Sequence, residues 1–141
     1  EHALYVEPFA GSLAALLAKA SSRMETVHDL DGDLMHFWKM LREQPTELAR
    51  ICALIPHSRA EHQAAYGDLT CVDELERARR VWVRLTQGRT GTLRKTGLWP
   101  YVDASTSSSS MPRHLARYLD RMMPAAERLA AVSLECHPPW N

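Results

Sequence analysis

The feature that most limits what this chain can fold into is a strand-to-helix step that occurs twice within residues 4–41. Residues 4–6 (L-Y-V) form a short apolar run that ends at Glu7 and Pro8 and passes through Gly11 into the Ala- and Leu-rich residues 13–19. A short apolar run bounded by turn residues predicts a buried parallel strand. Ser12 is placed to cap the helix that follows, and Ala and Leu are strong helix formers. Residues 24–30 (M-E-T-V-H-D-L) predict a second strand. From Asp31 or Gly32 a second helix begins, whose Leu34, Phe37, Trp38 and Leu41 recur at i, i+3, i+4 and i+7. Strand, helix, strand, helix is the opening of a parallel α/β sheet.

After residue 45 the pattern changes. Residues 45–55 and 58–65 predict short helices and residues 72–87 a long one, with Leu75, Ala78, Trp82 and Leu85 on one side and arginines on the other. Gly91 and Gly97 bracket a possible hairpin, and residues 104–110 (A-S-T-S-S-S-S) read as a low-complexity loop. Helix returns at residues 111–123, with Leu115, Tyr118, Leu119 and Met122 at helical spacing, and residues 124–131 continue or restart it. Residues 132–136 predict a third strand. The organisation is an α/β sheet, carried by residues 1–45 and 111–141, interrupted by a helical, basic insertion at 46–110.

Charge marks out that insertion. The chain balances at a formal net charge of zero, yet residues 77–95 contain Arg77, Arg79, Arg80, Arg84, Arg89, Arg94 and Lys95 and no acid. Such a segment suits a polyanion, although a solvated helix face is the commoner use of a charge run. The three cysteines, Cys52, Cys71 and Cys136, have no C-x-x-C spacing, so reduced structural thiols are expected, and the histidines lack a metal-ligand pattern. No apolar run reaches the roughly 20 residues of a membrane span and nothing resembles a signal peptide. The expectation is a cytoplasmic protein, monomeric, with neither membrane nor metal among its partners. The chain opens without methionine inside a strand and stops just after another, the pattern of an internal piece of a longer protein.

The first turn carries the chemistry. A helix that begins at the carboxyl end of a parallel strand offers unpaired N–H groups to a ligand in the crevice, and Gly11 lets that ligand approach the backbone. Dinucleotide sites use G-x-G-x-x-G to embrace a pyrophosphate; here Leu13 stands at the second glycine position, which disfavours a pyrophosphate. Asp29 follows Glu7 by 22 residues, near the ~20 that one strand-helix-strand unit requires. An acid there can accept hydrogen bonds from both ribose hydroxyls of an adenosine. A glycine turn with a distal acid suits an adenosine without phosphates, a description S-adenosylmethionine fits, although plain turn and capping chemistry produces the same pattern.

The motif E-P-F-A-G-S at residues 7–12, then H-D-L-D-G-D-L at 28–34 and the pair Phe37-Trp38, resemble the Dam-like adenine-specific DNA methyltransferases, whose turn reads D/E-P-F-x-G-x-G and whose acidic strand end reads N-D-x-N/D-x-D-L. Residues 58–61 (S-R-A-E) and 77–88 (R-A-R-R-V-W-V-R-L-T-Q-G) look like phage and actinobacterial members. The resemblance implies a partial Rossmann-like sheet of an S-adenosylmethionine-dependent enzyme that methylates the exocyclic amine of adenine in double-stranded DNA. It implies that Glu7, Pro8, Phe9, Ala10, Gly11 and Ser12 hold the methionine end of the cofactor and that Asp29 binds its ribose, with Phe9 lining the pocket for the cofactor or the flipped base. The insertion then contacts DNA, with Arg84, Gln87, Arg89, Arg94 and Lys95 as the expected contacts, mostly to phosphate. Trp38, Trp82, Met122 and Met123 read as core. Two departures stand out: Leu13 replaces the second glycine, and His28 replaces an asparagine.

The family's catalytic D-P-P-Y has no counterpart here. His137 leads an H-P-P-W, but a histidine cannot present a carboxylate's two acceptor oxygens, so the resemblance implies that the catalytic loop lies beyond the chain and that this piece does not turn over alone. Two rivals stay open: a Rossmann-like nucleotide-binding oxidoreductase, and a non-enzymatic DNA-binding module. Target sequence and a role in restriction-modification or replication control are not written in the residues.

Overall fold

The computed structural model describes residues 2–88 and 110–137. The expected hairpin around Gly91 and Gly97, and the serine-rich stretch except for Ser110, lie outside them. The described elements run β1 (Leu4–Glu7), α1 (Ala14–Ala18), β2 (Met24–His28), α2 (Gly32–Glu43), α3 (Pro45–Ala53), α4 (Arg59–Ala64), α5 (Glu74–Gln87), α6 (Met111–Asp120), α7 (Met122–Leu129) and β3 (Val132–Glu135). The strands form one parallel sheet in the order β1-β2-β3, with Leu4 beside Met24 and Glu25 beside Val132. This is a mixed α/β fold with a small parallel sheet flanked by helices, of the general kind that Rossmann-like folds share.

Alternation along the strands decides which sheet face is covered. Tyr5, Val27, Val132 and Leu134 point to one face, where they pack with Leu16 of α1, Met35 and Trp38 of α2 and Leu129 of α7. On the opposite face Leu4, Val6 and Met24 are exposed. Beyond the sheet, α2, α3, α5, α6 and α7 share a second core built on Phe37, Met40, Leu41, Leu48, Val81, Trp82, Leu115 and Met122. Of the helices expected to form an insertion, α3 and α5 therefore pack on the sheet's own helices α2 and α7, and α4 packs on α5.

Several local readings shift. Ser12 does not cap α1: the residue before that helix is Leu13, with φ 56° and no side-chain cap. A leucine in left-handed backbone costs about 1–2 kcal/mol, and its complete burial returns a similar amount. The turn thus keeps the backbone that a glycine would have supplied, while the leucine side chain goes into the core. The second strand, expected over residues 24–30, ends at His28, and although Asp29 N–H still donates to Glu135 O of β3 at 3.1 Å, the Asp29 carboxylate turns onto the Gly11 and Asp31 amides of the adjoining turns. The α2 stripe is rotated from the expected one: Met35, Phe37, Met40 and Leu41 are buried, while Leu34 and Trp38 lie at its edges. The single helix expected over 111–123 breaks at Arg121.

One buried acid ties sheet to helices. Glu25, 5% exposed on β2, accepts two bonds from the Arg128 guanidinium of α7 at 2.5 and 2.8 Å, one from Lys19 Nζ at 2.6 Å and one from Ser22 N–H at 2.9 Å. The Arg128 bonds, joined by those from Lys19 and Ser22 and opposed by burial, hold its pKa at about 2.

Candidate functional site

The two motifs meet at the carboxyl end of the sheet. Ala10 N–H donates to His28 O at 2.9 Å, which lays the first turn against the tip of β2. Gly11 N–H then donates to Asp29 Oδ2 at 2.8 Å, and Asp31 N–H donates to Asp29 Oδ1 at 2.9 Å. Asp29 therefore braces the glycine turn directly. A carboxylate has about four lone-pair directions, so each oxygen retains one for a hydroxyl donor. Gly11 has φ +48°, and a Cβ built on it would meet no atom within 4 Å. The backbone there borders open space, as a close-approaching ligand requires.

Other groups complete the setting. Asp31 caps α2, accepting from Asp33 N–H at 3.1 Å and Leu34 N–H at 3.0 Å. The Trp38 indole N–H donates to Gly11 O at 3.0 Å, so a side chain read from sequence as core packing also fixes the turn. Its sequence signal was only that a tryptophan near a core needs an acceptor for its N–H; the acceptor lies 27 residues away. His28 is 9% exposed and its Nδ1 is buried with no hydrogen-bond partner among the described residues. The His28 ring lies edge-on to His137, centroids 5.0 Å apart, and His137 Nε2 is 3.4 Å from Glu135 Oε2. No spacing rule would have brought His28, Glu135 and His137 together, because β3 follows β2 by about a hundred residues of chain.

Of the expected cofactor residues, Ala10, Gly11 and Asp29 form this joint. Pro8 and Ser12 are exposed, Phe9 is 68% exposed, and Glu7 Oε2 accepts the Tyr5 hydroxyl at 2.9 Å. A cleft of about 360 Å³ opens elsewhere, lined by Asp33, Gly67, Leu69, Thr70, Arg77 and Arg84. None of the expected cofactor residues lines it.

The expected DNA contacts divide differently. Gln87 is fully buried, its Nε2 donating to Pro56 O at 3.1 Å and its Oε1 accepting from Ser58 N–H at 3.4 Å. Arg84 is 9% exposed, and its Nε donates to Ala65 O at 2.7 Å. Both side chains hold α5 to the segment before it, and neither stands free on the helix surface. Arg89, Arg94 and Lys95 lie outside the described residues. The remaining α5 cations are also engaged internally: Arg77 on Asp33, Arg79 on Glu76 and Glu61, Arg80 on Glu76. Arg77, Arg79 and Arg80 are thus paired within the protein, by Glu76 of the same helix and by Asp33 and Glu61 from α2 and α4.

Neither the family models nor the curated proteins compared with this chain give a match. Among the described residues no group of His, Cys, Asp and Glu side chains could hold a metal ion, and no helix is long and apolar enough to cross a membrane.

Proposed function

We propose that this chain carries the cofactor-binding part of an S-adenosylmethionine-dependent, adenine-specific DNA methyltransferase. The observation that carries the reading is the 2.8 Å bond between Gly11 N–H and Asp29 at the open carboxyl end of a parallel sheet. It joins the two motifs on which the resemblance rests. In this reading the spare lone pairs of Asp29 accept the ribose hydroxyls, Gly11 gives the ligand room beside the backbone, and Trp38 keeps the turn in place. The buried Nδ1 of His28, unpartnered among the described residues, is a further polar atom that a nucleoside can satisfy. Bound cofactor would supply the methyl group as a sulfonium cation. The strand ends favour that charge, since Glu7, Asp29, Asp31 and Glu135 are all near this edge of the sheet, and carboxylates there oppose a pyrophosphate.

The DNA half of the reading rests on the resemblance and on Arg89, Arg94 and Lys95. No residue is assigned a catalytic role in this chain; His137 turns toward His28 and Glu135 instead.

Calorimetric titration separates the readings. S-adenosylmethionine should bind saturably with one site, and NAD should give no saturable heat. Binding of NAD in its place supports the oxidoreductase, and salt-dependent binding of duplex DNA with no response to S-adenosylmethionine supports the DNA-binding module.

A further inference from the structure

The cleft at Asp33 does not belong to the proposed cofactor site. Arg84, whose side chain is 11% exposed, is one of its lining residues. The Arg84 guanidinium donates to two backbone carbonyls, Ala65 O at 2.7 Å and Gly67 O at 3.5 Å, and lies over the Tyr66 ring at 5.1 Å. Among the described residues the nearest carboxylate oxygen is Asp33 Oδ2, at 3.6 Å, outside good hydrogen-bond geometry. Asp33 is already engaged, its Oδ1 accepting from Arg77 Nε at 3.0 Å and Nη2 at 2.7 Å. Asp68, in the loop beside the cleft, turns its carboxylate onto Thr70 N–H and the Thr70 hydroxyl, and Arg80 is paired with Glu76. Arg77 and Arg84 thus share the Asp33 carboxylate, with the Asp68 charge held on the Thr70 donors in the rim loop, and among the described residues Arg84 has no carboxylate of its own within hydrogen-bond distance. A buried charge without a full partner is costly, and here it opens onto a space large enough for a small ligand.

We infer that the cleft between the first turn of α2, residues 67–70 and α5 is an oxyanion site, which takes a phosphate group between Arg77 and Arg84. Arg77 supplies the rim, since its side chain is 35% exposed, and Arg84 supplies the fixed inner charge. The group is either free phosphate or a phosphodiester of a nucleic acid. The inference stands on the cleft alone and survives failure of the methyl-transfer reading.

The test is calorimetric titration of the whole chain with inorganic phosphate, chloride being exchanged to hold ionic strength constant. Wild type should bind saturably at one site. Arg77→Gln should weaken binding by about tenfold, the value of one charge-assisted hydrogen bond. Asp33→Asn removes the competing carboxylate and should tighten binding by about fivefold or more. The opposed signs matter, because a variant that merely loosens the fold cannot gain affinity. A short DNA duplex that displaces phosphate identifies the phosphodiester as the source; phosphate retained in the presence of duplex identifies the free anion. Absence of saturable phosphate binding, or Asp33→Asn binding no tighter than wild type, overturns the inference.

Discussion

Glu25→Ala is expected to lower the free energy of unfolding by about 3 kcal/mol, the lower end of the range for breaking a buried ion pair. The substitution removes the acceptor of four hydrogen bonds and leaves Arg128, 16% exposed in its side chain, against the sheet without its carboxylate. Lys19 is 25% exposed and recovers part of its hydration, which places the loss at the low end. Urea unfolding at neutral pH measures it. A loss of under about 1 kcal/mol, the effect of an ordinary surface substitution, would mean that the cluster does not hold α7 to β2. The same residue sets a pH dependence. Its folded pKa is depressed from 4.5 to about 2, so the folded state binds this proton less readily than the unfolded chain. Its stabilising contribution is complete above about pH 5 and is lost as pH falls from there toward 2. Wild type should therefore lose stability across that window more steeply than Glu25→Gln.

Asp29→Ala is expected to weaken S-adenosylmethionine binding by on the order of 100-fold, as two charge-assisted hydrogen bonds to the ribose disappear. Because Asp29 also holds Gly11 N–H and Asp31 N–H, the alanine variant loses the turn's brace as well as the ligand's acceptor. Asp29→Asn separates these effects. Its amide oxygen can still accept from Gly11 N–H, but its NH₂ cannot accept from a hydroxyl. An intermediate loss for Asn, with circular dichroism unchanged in both variants, is the expected pattern. Equal affinities in all three proteins would remove Asp29 from the ribose role.

The strands and helices with strong local patterns were legible because one face of each had to be apolar. The runs at residues 4–6, 24–30 and 132–136 hold β1, β2 and β3, the last two ending short of the expected bounds, and the helices expected over 58–65 and 72–87 became α4 and α5, capped by Ser58 and Asp73. The Gly11 and Asp29 pair was legible through spacing, since one strand-helix-strand unit returns the chain to the neighbouring strand end. What sequence could not supply was long-range charge pairing. Arg84 and Gln87 read as outward-facing in a basic run, yet residues 56–67 fold over them and take up their donors. Asp33, Glu61 and Glu76 neutralise the other arginines of α5, two of them from other helices. Leu13 was misleading for a different reason: its backbone follows the glycine-like conformation, and only its side chain departs, into the core.

The most direct test of the proposed pocket uses the bond between Trp38 and Gly11 as its reporter. In an amide- and indole-resolved NMR spectrum of the whole chain, saturating S-adenosylmethionine should shift the Gly11 amide and the Trp38 indole N–H together, while amides around Cys52, buried in the other core, stay in place. If the cofactor leaves Gly11 and Trp38 unmoved, or binds while perturbing only residues remote from Asp29, the account of this site is contradicted.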